Sequence, residues 1–181
     1  MTSVKNSADD TPGLELSANG TLAITASAAS SMHDFDFLTG RRSVHHKKLK
    51  ERLNGSSDWF EFDGDYEIRS ILNGLGNIEK YNLITNDQQS LEGMNLRIFN
   101  PATRLWSIYW ADSISGTLEA PLIGSFSNGV GHFYTLDRHN DQKIIVQFRY
   151  DPSDNNRPNW RQAFSADDGQ TWEWNWYMNY Q

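Results

Sequence analysis

Short hydrophobic runs recur along most of this 181-residue chain, and they restrict its fold more than any other feature. From His33 onward, runs of β-branched and aromatic residues are broken by Gly, Asn, Asp or Pro at a spacing typical of all-β proteins. The strands that this pattern predicts span residues 59–69, 75–84, 91–99, 105–112, 118–126, 131–136, 143–150, 160–165 and 171–180.

The residues between these runs favour hairpins. Pro101 presets φ for a turn, and the Asn128-Gly129 pair supplies the positive φ that a tight hairpin needs. A series of antiparallel hairpins leaves exposed sheet edges unless the sheet closes on itself. We therefore predict an all-β fold, a single up-and-down antiparallel β-barrel of about 8–10 strands.

Residues 41–53 give a conflicting local signal. Ser43 could cap a helix, Leu49 and Leu53 have helical spacing, and Gly55 stands where a helix would end. A closed barrel requires a strand here, and we predict a strand. Residues 33–38 suit a short helical turn that plugs one end of the barrel.

The first 31 residues differ from the rest in composition. Residues 2–31 contain no aromatic side chain and can bury little apolar surface, which is typical of a flexible polar tail. Leu14, Leu16, Leu22 and Ile24 could add one loose strand. We expect residues 32–181 to form the barrel domain, and deletion of residues 2–31 to change stability by no more than about 0.5 kcal/mol.

Alternation along three strands defines an aromatic inner face, because residues i and i+2 of a strand point to the same side. Turning such large side chains to water would cost about 1.5–3 kcal/mol each. The residues that we assign to the interior are Trp106, Ile108, Trp110, Trp160, Gln162, Phe164, Trp172, Trp174, Trp176, Met178 and Tyr180.

Two polar residues remain ambiguous on these faces. Gln162 lies between Trp160 and Phe164, so its amide must bond to a neighbouring strand, which we favour, or to water or a ligand. Arg97 could bind a carboxylate if it pointed inward, but an outward surface arginine is the interpretation that we favour.

Ser165-Ala-Asp-Asp-Gly-Gln-Thr-Trp172 matches the Asp-box pattern of sialidases and other β-propellers. The motif has a structural role in a hairpin, with Asp167 and Gly169 as turn residues here. Propellers repeat their blades, and no second copy occurs in this sequence. The motif therefore predicts a tight hairpin rather than a propeller.

Six of the sixteen basic residues fall within twelve positions: Arg41, Arg42, Lys47, Lys48, Lys50 and Arg52. We favour a solvated outer strand for this cluster over an anion-binding patch. His45 and His46 would point to opposite faces of a strand, so they could not share a metal, and no other ligand spacing predicts a metal site. Phosphate-binding loops and nucleophile elbows are absent from the sequence.

Composition excludes several classes of partner. The formal charge of −7 and the pI near 5.1 argue against nucleic acid. The sequence contains no cysteine, no apolar run long enough for a membrane span and no apolar signal core after its first residues. We expect a soluble, cytoplasmic protein with no cofactor and no membrane partner, and a homodimer is left open.

Several segments together resemble a family of largely uncharacterised bacterial proteins with a lipocalin-like (calycin) β-barrel. They are His33-Asp-Phe-Asp-Phe-Leu-Thr-Gly-Arg41, Leu72-Asn-Gly-Leu-Gly-Asn77, Leu96-Arg-Ile-Phe-Asn-Pro-Ala-Thr-Arg-Leu-Trp-Ser-Ile-Tyr-Trp110, Trp160-Arg-Gln-Ala-Phe-Ser165 and Trp172-Glu-Trp-Asn-Trp176. The resemblance implies a barrel that begins near Phe37. Calycin barrels often open with Gly-x-Trp, whose Trp closes the floor. Arg42 stands in that place, and Trp106 or Trp176 could substitute for the missing Trp.

The resemblance also implies uses for the interior, since calycin-like barrels commonly hold small hydrophobic molecules. We expect such a ligand to lie against Trp106, Trp110, Trp174 and Trp176, with Gln162 fixing its polar end. The alternative is a cofactor-free cyclase or isomerase in which Gln162, Tyr109 or Arg97 polarises a carbonyl. The catalytic residues of such an enzyme are unknown.

Overall fold

The computed structural model describes residues 13–84, 90–153 and 159–181. Ten strands form a closed antiparallel barrel, in which each strand pairs with its neighbours in sequence and the last pairs with the first. The predicted all-β, up-and-down barrel is therefore confirmed. A two-stranded sheet, β1 (Leu14–Leu16) and β2 (Leu22–Ile24), precedes the barrel. The barrel strands are β3 (Gly40–Leu49), β4 (Trp59–Ile71), β5 (Gly76–Ile84), β6 (Ser90–Asn100), β7 (Leu105–Asp112), β8 (Leu122–Ser127), β9 (Val130–His139), β10 (Gln142–Asp151), β11 (Asn159–Ser165) and β12 (Glu173–Tyr180).

Strand β3 occupies the segment with the conflicting helix signal. It pairs with β4 along its whole length, from Gly40 opposite Ile68 to Leu49 opposite Trp59, and with β12 on its other side. Its backbone hydrogen bonds to two neighbours outweigh the weak local helix preference, so the predicted strand is confirmed for residues 41–49, whereas residues 50–53 lie outside it.

A short 3-10 turn at Asp36–Leu38 closes one end of the barrel, as predicted. Phe35 and Leu38 are buried there. The ring of Phe35 makes edge contacts with Trp106, Phe126 and Tyr150 at centroid distances of 4.9, 5.0 and 5.0 Å. The indole N–H of Trp106 donates to Ser31 O at 3.3 Å and to Asp34 Oδ2 at 3.1 Å. Trp106 thus closes the floor where Arg42 replaces the expected tryptophan.

The Asp-box motif forms the hairpin between β11 and β12. Asp167 Oδ1 accepts hydrogen bonds from the Ser165 hydroxyl at 2.8 Å and from the Thr171 backbone N–H at 2.9 Å. Gly169 has a φ of +88°, which favours glycine. The motif is structural in this protein, as predicted.

The segment before the barrel contacts it directly. The backbone N–H of Ser27 donates to Ser125 Oγ at 3.0 Å, and the hydroxyl of buried Ser30 accepts from the Phe126 N–H at 3.3 Å. Arg104 donates to the backbone oxygen of Ser30. Leu14, Leu16, Leu22 and Ile24 form a hairpin instead of one loose strand. The boundary after residue 31 stays a prediction, and residues 1–12 of the expected tail lie outside the described residues.

Candidate functional site

A cavity of about 970 Å³ lies inside the barrel at the end opposite the Phe35 floor. Most of the side chains around it are aromatic or aliphatic. The residues that line it are Lys48, Arg52, Phe60, Phe62, Tyr66, Tyr81, Leu91, Asn95, Trp110, Glu119, Ala120, Leu122, Thr135, Leu136, Asp137, Val146, Phe148, Trp160, Gln162, Phe164, Trp176 and Met178. A volume of this size can hold a drug-sized molecule.

Strand alternation places four of the eight aromatic residues that we assign to the interior around this space, namely Trp110, Trp160, Phe164 and Trp176. Trp110 stacks on Tyr81 at a centroid distance of 5.2 Å, and Trp160 meets Trp176 edge to face at 5.6 Å. Gly93 makes the first contact possible, because a Cβ there would lie only 2.6 Å from the Trp110 ring and 2.9 Å from Tyr81. Aromatic rings packed against one another therefore form part of the cavity wall.

Three of the seven predicted ligand-binding residues line the cavity, namely Trp110, Gln162 and Trp176. Trp106 points inward but lies in the floor, with 1% of its surface exposed. Arg97 is also inside the barrel, below the cavity, and our expectation of an outward surface arginine is wrong.

Trp174 and Tyr109 do not line the cavity. Ala163 pairs with Trp174 while Gln162 pairs with Trp176, so a β-bulge interrupts the alternation between them. Asn175 takes the inward position and is fully buried, whereas Trp174 packs against Arg161 with the guanidinium carbon 4.5 Å from its ring centroid. The interior assignment of Trp174 is wrong for this reason. Tyr109 alternates with inward-facing Ile108 and Trp110 and lies on the outer face.

Gln162 has a protein partner within the site. Its Nε2 donates to Asn175 Oδ1 at 2.9 Å, across the bulge between β11 and β12. The favoured interpretation of a bond to a neighbouring strand agrees with this contact. Because Gln162 also lines the cavity, its amide is held at a fixed place on the wall.

A polar layer separates the cavity from the floor. The Arg97 guanidinium binds the Glu79 carboxylate and donates to Asn77 Oδ1 at 2.9 Å and to Tyr150 Oη at 3.2 Å. Glu79 also accepts from Asn95 at 3.0 Å and from the Tyr180 hydroxyl at 3.2 Å. Neither charged side chain of the pair is exposed. The two charges compensate each other, so Arg97 is already paired with a carboxylate of the protein.

His46 forms a second polar chain beside the cavity. The Trp176 indole N–H donates to His46 Nδ1 at 3.1 Å, and since an indole is only a donor, this nitrogen carries no proton. The neutral imidazole therefore has its proton on Nε2, which donates to Tyr66 Oη at 2.7 Å. Burial, with a smaller effect of Lys48, lowers the pKa of His46 to about 3, so this ring is neutral at physiological pH.

His45 points to the opposite side of β3, as expected. It contacts Asp63 Oδ1 at 2.8 Å and Glu61 Oε2 at 3.3 Å on the outer surface, and the bond to Asp63 is the main reason for its raised pKa. Within residues 13–84, 90–153 and 159–181, no group of three or more His, Cys, Asp or Glu side chains could hold a metal ion.

The basic cluster divides between the two faces of the barrel. Arg41, Lys47 and Lys50 form ion pairs on the outer surface, as expected for a solvated strand. Lys48 and Arg52 instead line the cavity, so that interpretation is wrong for these two. Tyr66, Tyr81, Phe60 and Phe62 also line the cavity, and none of these residues is among the predicted site residues. For Lys48 the available signal is its phase on β3, which it shares with the buried residues Val44 and His46.

No protein-family model matches this sequence, and no curated protein matches it. The closed ten-stranded antiparallel barrel is compatible with a lipocalin-like fold. In the described part of the chain, no helix has the length and apolar character to cross a membrane.

Proposed function

We propose that this protein binds a small, mostly apolar molecule inside its barrel. The observation that carries the proposal is the cavity of about 970 Å³ with aromatic walls, built from Phe60, Phe62, Trp110, Trp160 and Trp176 among others. Apolar pockets with a few fixed polar groups are typical ligand sites. Burial of a ligand against these walls would gain about 25 cal/mol per Å² of apolar surface.

The polar groups of the wall support recognition rather than catalysis. Gln162 is held by Asn175, and His46 is neutral and bonded at both ring nitrogens. The cyclase or isomerase alternative has weaker support, because Arg97 is neutralised by Glu79 and Tyr109 lies outside the cavity. Membership in the calycin-like bacterial family, a cytoplasmic location and a homodimer remain proposals.

N-phenylnaphthylamine (NPN), a neutral dye that fluoresces in apolar surroundings, tests the proposal. We expect its emission to rise on titration into the wild-type protein, with quenching of the tryptophan fluorescence. Val146 lines the cavity on β10 and is 5% exposed, so Val146→Trp should fill part of the space and weaken NPN binding.

Ser43→Trp is the matched control, because Ser43 is exposed on the outer face of β3. This variant should bind NPN like the wild type. Absence of NPN binding to a folded wild-type protein, or equal binding by Val146→Trp and Ser43→Trp, would contradict a ligand site inside the barrel.

A further inference from the structure

Two cationic side chains face the aromatic cavity. The Lys48 ammonium lies 4.0 Å from the ring centroid of Trp176, and the Arg52 guanidinium carbon lies 5.3 Å from that of Phe164. Both residues line the cavity, although neither aromatic ring can neutralise a full charge. One wall of this mostly apolar cavity therefore carries two positive charges.

Among the described residues, Lys48 and Arg52 lack the kind of ion-pair partner that Lys47 and Lys50 have. On the outer face, Lys47 pairs with Glu61 at 3.7 Å and Lys50 pairs with Asp58 at 2.9 Å. Among the residues that the structure describes, no carboxylate forms an ion pair with Lys48 or Arg52.

Glu173 attracts Arg52 from a distance, but its two carboxylate oxygens accept from the Leu53 backbone N–H at 3.0 and 2.9 Å. Burial, together with the charge of Arg52, lowers the pKa of Lys48 to about 8. Unpaired charge that is partly withdrawn from water costs free energy, and an anion between the two half-buried cations would reduce that cost.

The acidic residues of the cavity lie on strands far around the barrel from Lys48. Glu119 precedes β8, five steps around the ring of ten strands from β3, and Asp137 is on β9, four steps from β3. Burial, followed by the charges of Asp137 and Asp112, raises the pKa of Glu119. An anionic group entering the cavity is thus repelled from the β8–β9 wall and attracted to the β3 wall.

We propose that the ligand is an organic acid, with an apolar body held by the aromatic walls and a carboxylate or sulfonate bound between Lys48 and Arg52. This inference rests on the proposed function, since it names the class of molecule that the same cavity takes. The cationic wall selects an anion over a neutral or cationic molecule of the same shape.

Anilinonaphthalene sulfonate (ANS) and NPN test this inference because they share an aromatic body and differ in the sulfonate. Lys48→Gln removes one of the two positive charges from the cavity wall. It should weaken ANS binding about tenfold or more, which is the usual effect of losing a charged hydrogen bond. NPN carries no anionic group, so its affinity for Lys48→Gln should differ from its affinity for the wild type by less than about twofold.

Lys47→Gln is the matched control. It removes the same charge one residue earlier, where the ammonium lies 5.5 Å from the Trp59 ring on the outer face. ANS affinity should stay within about twofold of the wild type in this variant. Equal losses of ANS binding in Lys47→Gln and Lys48→Gln would overturn the inference, because ANS affinity would then depend on the net charge of the protein and not on the position of Lys48.

A pH titration of the wild type tests the same point without a substitution. The charged or titratable groups around Lys48 are Arg52 beside it, neutral His46 on the same strand, Tyr66 and Tyr81 with raised pKa, and Glu119 and Asp137 across the cavity. Of these, Lys48 is the group expected to lose a positive charge between pH 7 and pH 10, so ANS affinity should fall over that range while NPN affinity holds.

The outcomes separate the two proposals. ANS binding that is insensitive to Lys48→Gln and to this pH change, with NPN bound normally, would overturn the organic-acid inference and leave the proposed function standing. Failure of NPN to bind the wild type would remove the proposed function itself.

Discussion

Arg97 and Glu79 form the most deeply buried charged pair among the described residues, and each depends on the other. Arg97→Met leaves the Glu79 carboxylate without its cation in the barrel centre, and we expect a loss of about 3–5 kcal/mol in the free energy of unfolding. Urea unfolding measures this loss.

Arg69→Met is the control for this prediction. Arg69 donates to Glu67 at 2.7 Å on the surface, where its side chain is 71% exposed, and such a pair contributes about 0–1 kcal/mol. Similar losses in the two variants would mean that burial does not set the value of the Arg97 pair.

Gln162 combines a structural bond with a place on the cavity wall. Gln162→Leu leaves Asn175 Oδ1 buried without its donor, and we expect a cost of about 1–3 kcal/mol. The unfolding midpoint of the variant beside the wild type measures it. A midpoint that holds or rises while NPN affinity falls would contradict a structural role and assign the amide to the ligand.

Sequence alone could predict residues on regularly alternating strands. Trp110, Gln162 and Trp176 follow such alternation and line the cavity. The surface prediction for Arg97 is wrong although this residue is in phase with buried Phe99, because its partner Glu79 is brought beside it only by the pairing of β5 with β6. A lone arginine in a sequence resembles a surface residue, and the carboxylate that allows its burial is a tertiary feature.

At the scale of the elements, hairpins were predictable and irregularities were not. Asp167 and Gly169 act through contacts within a few residues, so their turn can be identified locally. The bulge before Trp176 leaves no mark on the alternating Trp172-Glu-Trp-Asn-Trp176 pattern, and for this reason the pattern predicts the wrong face for Trp174. The strand β3 cannot be predicted from its local sequence, because it is its pairing with β4 and β12 that overrides the local helix signal.

The segment before the barrel now gives an expectation opposite to that from composition. Deletion of residues 2–31 would remove the partners of the Ser125 hydroxyl, the Phe126 N–H and Arg104. Because some of these groups are buried, we expect a loss of more than about 1 kcal/mol. Deletion of residues 2–26 keeps Ser27 and Ser30 and should cost less, and thermal unfolding of both truncations measures the difference. Equal stability of the wild type and the longer truncation would restore the flexible-tail interpretation.

At the scale of the whole molecule, the barrel combines a packed floor with a large cavity that a ligand could fill. A ligand that binds only the folded barrel stabilises it by mass action, by about 2.7 kcal/mol at a free concentration of one hundred times Kd. For a chain of this length, that corresponds to a rise of roughly 5–10 °C in Tm. We expect saturating NPN to raise the Tm of the wild type and of Ser43→Trp by this amount. Val146→Trp should show a much smaller shift at the same concentration, because the new side chain takes space that the ligand needs. An equal rise in all three proteins would mean that the dye binds outside the barrel, whereas a fall in Tm would mean that it prefers the unfolded chain.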